Sequence, residues 1–254
     1  MRIEDLDTPR VVPGSADEIL RTLEAFGLGW DGEVVYQSDR SELYRTALQA
    51  LAARGLTFAC SCSRRLHGGQ EVSRYPGTCR NGPVRPGPTA TRFRIADGAT
   101  VSFDDRIQGR CELALAELGD VIVRRRDGIP AYQLAVVVDD AAQAVTDVVR
   151  GADLLSSTGW QIALAGALGL APVTYAHLPL VVEPDGSKLA KSRRSVPIDP
   201  RQRGAWLVNA LRLLGQTPPP ELGREPPATL LTWAAAQWDM GRLKPNSLPS
   251  ATFW

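Results

Sequence analysis

Apolar and polar positions in the first sixty residues fall into helical spacing. Ile19, Leu20, Leu23 and Phe26 share one face, Gly27 stops the run, and Ser15-Ala16-Asp17-Glu18 precedes it in the Ser-x-x-Glu order of a capping box. A second helix is predicted over 42–53, with Leu43, Ala47, Leu48 and Leu51 inward and Gly55 as its stop. Residues 56–59 read as a short extended piece. From residue 60 the texture changes. Pro and Gly crowd residues 75–88, and then 91–95 and 100–103 alternate on either side of Asp97-Gly98, which predicts a β-hairpin. Residues 121–123 read as another strand before the turn Asp127-Gly128. Past residue 131 the helix–strand alternation returns. The unbroken apolar run 134–138 predicts a buried parallel strand. Residues 145–149 and 178–182 read as two more, with a helix over 161–168 that Gly169 ends. Trp206, Leu207, Ala210, Leu211 and Leu214 form one amphipathic helical face, residues 229–240 another, and Pro218-Pro219-Pro220 links them.

Strands alternating with helices and interrupted once predict an α/β nucleotide-binding fold carrying an inserted module. The expected boundaries are 1–57 and 131–200 for a Rossmann-like catalytic domain, 58–130 for the insertion and 201–254 for a helical C-terminal segment.

Composition narrows the classes without choosing among them. At 254 residues, 44% hydrophobic and 22% charged, the chain is ordinary globular material, neither disordered nor fibrous. The net charge of +1 excludes a whole-molecule polyanion footprint. The longest apolar stretch, 162–173, is interrupted by glycines and a proline and is too short to cross a bilayer, so no membrane association is expected. The acidic start Glu4-Asp5 does not read as an export signal, and a cytoplasmic protein is expected. Nearly all basic residues are arginines, so Lys188 and Lys191, three residues apart behind the turn Pro184-Asp185-Gly186, stand out. Two lysines there suit the phosphates of a nucleotide; the adjacent Arg193-Arg194 also fits a solvated basic loop.

Four cysteines are too few for a disulfide scaffold. Cys60, Cys62 and Cys79 lie within twenty residues and suggest a soft-metal knuckle in a reducing compartment. Zinc wants four ligands. His67 inside the loop, Cys111 folding back, or Tyr75 are the candidates for the fourth.

Five blocks in order carry a resemblance: Arg2-Ile3-Glu4-Asp5-Leu6-Asp7-Thr8-Pro9-Arg10, the cysteine cluster, residues 132–140, Val149-Arg150-Gly151-Ala152-Asp153-Leu154-Leu155, and Lys188-Leu189-Ala190-Lys191-Ser192. Together they resemble class I glutamyl-tRNA synthetases, and within them the short glutamyl-Q tRNA(Asp) branch, which lacks an anticodon-binding domain. The roughly 55 residues after Arg201 are too few for such a domain.

The resemblance implies a ligase of class I architecture with a zinc-bearing, acceptor-type insertion. It implies activation of glutamate by ATP with Mg2+, without tRNA present, and transfer of glutamate to tRNA(Asp), onto the queuosine base of the anticodon. Glu4, Tyr132 and Arg150 match the glutamate-binding positions. Lys191, with Lys188, matches the KMSKS signature at ATP, and His177 leads into that loop and is expected either to face ATP or to be a core histidine. Tyr75 matches the fourth ligand of a structural Zn2+ held by Cys60, Cys62 and Cys79. The residue chemistry agrees: Glu4 is an anion suited to an ammonium, and Arg150 offers a planar fork to a carboxylate. A monomer is expected.

The chain departs from the family in two places. The loop reads Ala190 and Ser192, where the short branch usually has Ser and Gln. The family's opening strand, Pro-Ser loop and His-x-Gly-His-type helix start normally precede the Arg2 block, whereas here Met1 does. An in-frame upstream extension of about 30–40 residues, the scale of a βα unit, is therefore expected, and activity without it is expected to be low. The competing readings are a non-catalytic, zinc-bearing RNA-binding remnant and a fragment of an ordinary glutamyl-tRNA synthetase.

Overall fold

A computed structural model describes residues 1–62, 74–182 and 198–245, and the backbone of 248–249. In chain order its elements are β1 (Arg2–Ile3), α1 (Ser15–Ala25), β2 (Val35–Tyr36), α2 (Ser41–Ala53), β3 (Thr57–Cys60), β4 (Ala90–Phe93), β5 (Thr100–Asp105) and β6 (Gly109–Ala114). There follow α3 (Leu115–Leu118), β7 (Val121–Arg124), α4 (Tyr132–Ala142), β8 (Asp147–Gly151), α5 (Leu155–Leu168), β9 (Thr174–Leu178), β10 (Val181–Val182), α6 (Arg203–Leu213), α7 (Pro227–Gln237) and β11 (Leu248–Pro249).

The strands form a four-stranded mixed sheet in the order β6-β5-β9-β8, an antiparallel sheet β3-β4-β7, and the parallel pairs β1-β2 and β10-β11. Two strands of the larger sheet lie in 58–130 and two in 131–200. Its parallel register sets Arg150 opposite His177, and Asp105 opposite Tyr175. Because side chains alternate along a strand, Tyr175 and His177 share one face of β9, and the site is built there.

The run 134–138 is not a strand but the middle of helix α4. Leu134, Ala135, Val136 and Val137 are all buried, since α4 packs against α2, α5 and β7. A helix apolar on nearly every side shows no helical period, and its β-branched residues imitate a strand. The polar exception, Asp139, is fully buried and satisfied: it accepts from Gln37 Nε2, Tyr44 Oη and Arg40 Nε, each at 2.7 Å, which ties α2 and the turn before it to α4.

The predicted hairpin around Asp97-Gly98 does not form. β4 pairs with β3 and β7, whereas β5 pairs with β6 through the turn 106–108, with Gly109 at φ 77. Gly98 (φ 72) makes a turn between the two sheets. The strand expected at 178–182 is Thr174–Leu178 followed by the short β10, with the break at Pro179, which has no N–H to give a ladder. The capping box also fails. Gly14, left-handed at φ 80, is the N-cap of α1, and Ser15 is already its first helical residue. Ile19 and Leu43, expected inward, are exposed, whereas Phe26 and Tyr44 are buried.

The main core joins α2, α4, α5 and the strands beside them around Leu51, Leu134 and Leu164. A second core brings Phe26 at the end of α1 against Leu207, Leu211 and Leu230 of α6 and α7. Among the described residues no helix is long and apolar enough to cross a membrane.

Candidate active site and thiol cluster

Tyr132 opens α4, Arg150 lies near the C-terminal end of β8, and Glu4 follows β1 directly. Ligands of parallel α/β sheets bind beyond the carboxyl ends of strands. The three expected glutamate-site residues converge. The Tyr132 hydroxyl lies near Arg150 and Gln161 and feels the charge of Glu4. Burial is the main cause that raises its pKa, and the nearby Arg150 opposes the rise. Tyr132 is still 37% exposed, so a small solute can reach it. Glu4 is held from its own strand. Arg2 reaches Glu4 Oε1 with Nε (3.3 Å) and Nη2 (3.2 Å), while its Nη1 is anchored on Asp140 (2.7 Å) and Gln143 (2.9 Å) of α4 and the residue after it.

Behind Arg150 stands a polar network that no sequence spacing announces. Arg150 Nε donates to His177 Nε2 (3.2 Å); Nη2 donates to Thr158 Oγ1 (2.8 Å) and Gln161 Oε1 (2.7 Å). Gln161 Nε2 donates to Gln133 Oε1, whose own amide donates to Ser157 Oγ, both at 2.9 Å. His177 is fully buried, with Nδ1 2.6 Å from Asp105 Oδ2 and Nε2 2.9 Å from Thr158 Oγ1. The expected place of His177 beside ATP finds no free ring nitrogen, because both are engaged by protein groups. Lys188 and Lys191 lie outside the described residues, as does His67.

The second feature is a thiol cluster. Cys60 ends β3, Cys62 follows two residues on, and Cys79 lies further along the chain; their three sulfurs all lie within 4.8 Å of one another. The Tyr75 hydroxyl joins them, 3.4 Å from Cys60 Sγ and 3.9 Å from Cys62 Sγ, and accepts the Cys79 backbone N–H at 2.8 Å. Cys111 is elsewhere, on β6, with its thiol 3.6 Å from the Gly109 carbonyl.

Basic residues brace the cluster. Arg92 donates to Cys60 Sγ (3.3 Å) and lies 3.8 Å over the Tyr75 ring, and Arg126 clamps the carbonyls of Ser61 and Cys62. Burial works against ionisation of Cys79, but hydrogen bonds from the backbone of Val84 and Ser61, with Cys62 and Tyr75, outweigh it and bring the thiol down to about 6. Burial, with the hydrogen bond to Cys79, pushes Cys62 up to about 11. Three soft donors, one already disposed to be a thiolate, and a phenolic oxygen make a donor set that fits a tetrahedral soft cation.

Gly119 permits this packing. At φ 73, ψ −177 it occupies a region almost closed to other residues, and a methyl there would lie 3.0 Å from both N and O of Tyr75. Gly119→Ala is therefore expected to cost about 1–3 kcal/mol and to displace Tyr75. Thermal unfolding checks this; an unchanged melting temperature would contradict it.

Comparison with known proteins places the chain in a family. The catalytic-domain family described as tRNA synthetases class I (E and Q) matches residues 1–221. The glutamyl-Q tRNA(Asp) synthetase of Ectopseudomonas mendocina is 51% identical over 245 residues, 96% of this chain and 82% of that protein. The protein of the same name from Aromatoleum aromaticum is 50% identical over 246 residues, 94% of this chain and 78% of that one. Among solved structures, the glutamate-tRNA synthetase of Elizabethkingia anophelis superposes with a TM-score of 0.78 at 21% identity. The alignment covers 99% of this chain and 61% of that one, so this chain spans about three fifths of that longer protein, with which it shares the fold. The chain belongs to the class I tRNA synthetases of the E and Q type, a family of ligases, and within them to the glutamyl-Q tRNA(Asp) synthetases.

Proposed function

We propose that this protein activates glutamate with ATP and transfers the glutamyl group to the queuosine base in the anticodon of tRNA(Asp). The observation that carries the reading is the nearness to Tyr132, at the start of α4, of Glu4 and Arg150 at the carboxyl ends of the parallel strands β1 and β8, in a chain about half identical to proteins of that name. Free glutamate presents one ammonium and two carboxylates. Glu4, held by Arg2, takes the ammonium; Arg150 takes a carboxylate through its planar fork, and Tyr132 adds a hydroxyl.

In activation, a carboxylate oxygen of glutamate attacks the α-phosphorus of ATP, the bond to pyrophosphate breaks, and glutamyl-adenylate forms. Lys191 and Lys188 stabilise the charge that develops on the leaving phosphates, and Mg2+ supplies further charge neutralisation. In transfer, a hydroxyl of the queuosine ring attacks the acyl carbon, loses its proton, and AMP leaves. Cys60, Cys62, Cys79 and Tyr75 would hold a Zn2+ whose part is structural, since four protein ligands leave no open position.

The test is glutamate-dependent exchange of pyrophosphate into ATP by the full gene product without tRNA. Exchange with glutamate, and none with glutamine or aspartate, is expected. Absence of glutamate-dependent exchange would overturn the reading.

A further inference from the structure

We propose that Asp105 and His177 are a positioning pair that sets the orientation of the Arg150 guanidinium, and through it the affinity for the carboxylate of the amino-acid substrate. The proposal rests on the assignment of Arg150 to glutamate.

The Asp105 carboxylate is saturated with donors. Oδ1 accepts the backbone N–H groups of Ile107 (2.9 Å), Gln108 (2.8 Å) and His177 (3.1 Å); Oδ2 takes the His177 N–H (3.1 Å) and the ring Nδ1 (2.6 Å). Burial opposes its ionisation, but these N–H groups and the ring hold its carboxyl below the usual carboxylate range. An ionised carboxylate can only accept, so the ring hydrogen sits on Nδ1. Nε2 is then left with its lone pair and accepts from Arg150 Nε and Thr158 Oγ1. The second guanidinium edge is fixed by Thr158 and by Gln161, whose amide is itself turned by Gln133. These contacts use three of the five guanidinium N–H donors and leave Nη1 outside them. The rings of Tyr175 and Phe103, 5.9 and 6.4 Å from the His177 ring between centroids, close the pair off.

The fork is thus aimed from behind by a carboxylate two residues' reach removed from it. Asp105→Asn discriminates this role from simple packing. The three N–H donors on Oδ1 require the amide oxygen there, which puts the amide nitrogen opposite His177 Nδ1. The ring hydrogen must then move to Nε2, where it meets Arg150 Nε–H donor against donor. Changing an orienting carboxylate to an amide in this way preserves shape while inverting the tautomer.

The chain has two histidines, His67 and His177, so 15N-histidine spectra are readily assigned with His67→Gln. The wild-type protein is expected to show His177 protonated on Nδ1, and Asp105→Asn on Nε2. Glutamate affinity, measured by calorimetry, is expected to fall about 10–100-fold in Asp105→Asn, the span of one lost hydrogen bond to a charged group, with ATP affinity changed less than about twofold. A wild-type ring protonated on Nε2 overturns the proposal without any variant. An inverted tautomer with unchanged glutamate affinity, where Arg150→Lys does weaken glutamate, overturns the positioning role and leaves Arg150 in the site. Unchanged glutamate affinity in Arg150→Lys overturns both.

Discussion

Cys79→Ser is expected to strip the metal from the protein and to give the largest loss of stability of any single change proposed here. Cys79 is fully buried, its sulfur lies 3.5 Å from Cys62 Sγ, and its backbone N–H anchors the Tyr75 hydroxyl. A serine hydroxyl is a hard, weak donor that cannot replace a thiolate on a soft cation. Structural zinc contributes its binding free energy directly to folding, about 10–16 kcal/mol in small zinc-binding peptides, so even a fraction of it is large here. Forfeiting only 2–4 kcal/mol would lower the melting temperature by about 4–16 °C, at about 2–4 °C per kcal/mol for a chain of this size. Metal analysis should find about one zinc per chain in the wild-type protein and under about a tenth of that in the variant. Cys111→Ser should leave the zinc in place, since that thiol lies on β6 outside the cluster. Full zinc content in Cys79→Ser, or loss in Cys111→Ser, would contradict the assignment.

Arg150→Lys is expected to weaken glutamate binding by about 1–3 kcal/mol, or about 5–150-fold, the scale of a hydrogen bond to a charged group. Lysine keeps the charge but loses the planar fork. Its ammonium has three N–H donors against the five of arginine, so serving His177, Thr158 and Gln161 would leave none for a substrate carboxylate. ATP affinity should change less than about twofold, because the lysines matched to the phosphates are on another segment. Calorimetry with glutamate and with ATP reads both; equal losses for the two ligands would place Arg150 outside the glutamate site.

The residues proposed for glutamate, Glu4, Tyr132 and Arg150, could be picked from the chain because each sits in a block that resembles the family. The network behind them could not. Asp105, Gln133, Thr158 and Gln161 carry no local signature, and only the pairing of β5 and β8 with β9, together with the packing of α4 and α5, brings them round Arg150 and His177. His177 was legible as a residue and not as a neighbour: its place before the KMSKS-like loop suggests ATP, whereas the register of β8 and β9 sets it against Arg150. Helix α4 shows the same limit in the fold. Leu134-Ala135-Val136-Val137-Val138 carries strand-like residues, and only the packing of α2, α5 and β7 around it explains why a helix needs no polar face there. The hairpin failed for a related reason. Asp97-Gly98 is a sound turn, but the strands it separates find better partners in different sheets. Gly119 offers a signal that could have been used, since a glycine directly before Asp120 and the strand β7 marks a backbone conformation other residues avoid.

Transfer of radiolabelled glutamate tests the central claim most directly. The full gene product is incubated with ATP, labelled glutamate and tRNA(Asp) purified with and without queuosine. Label is expected in the queuosine-bearing tRNA(Asp) alone, recovered in the anticodon fragment after nuclease digestion. Label on the 3′ end of a glutamate tRNA, or no label in any tRNA while glutamate-dependent pyrophosphate exchange proceeds, would contradict it.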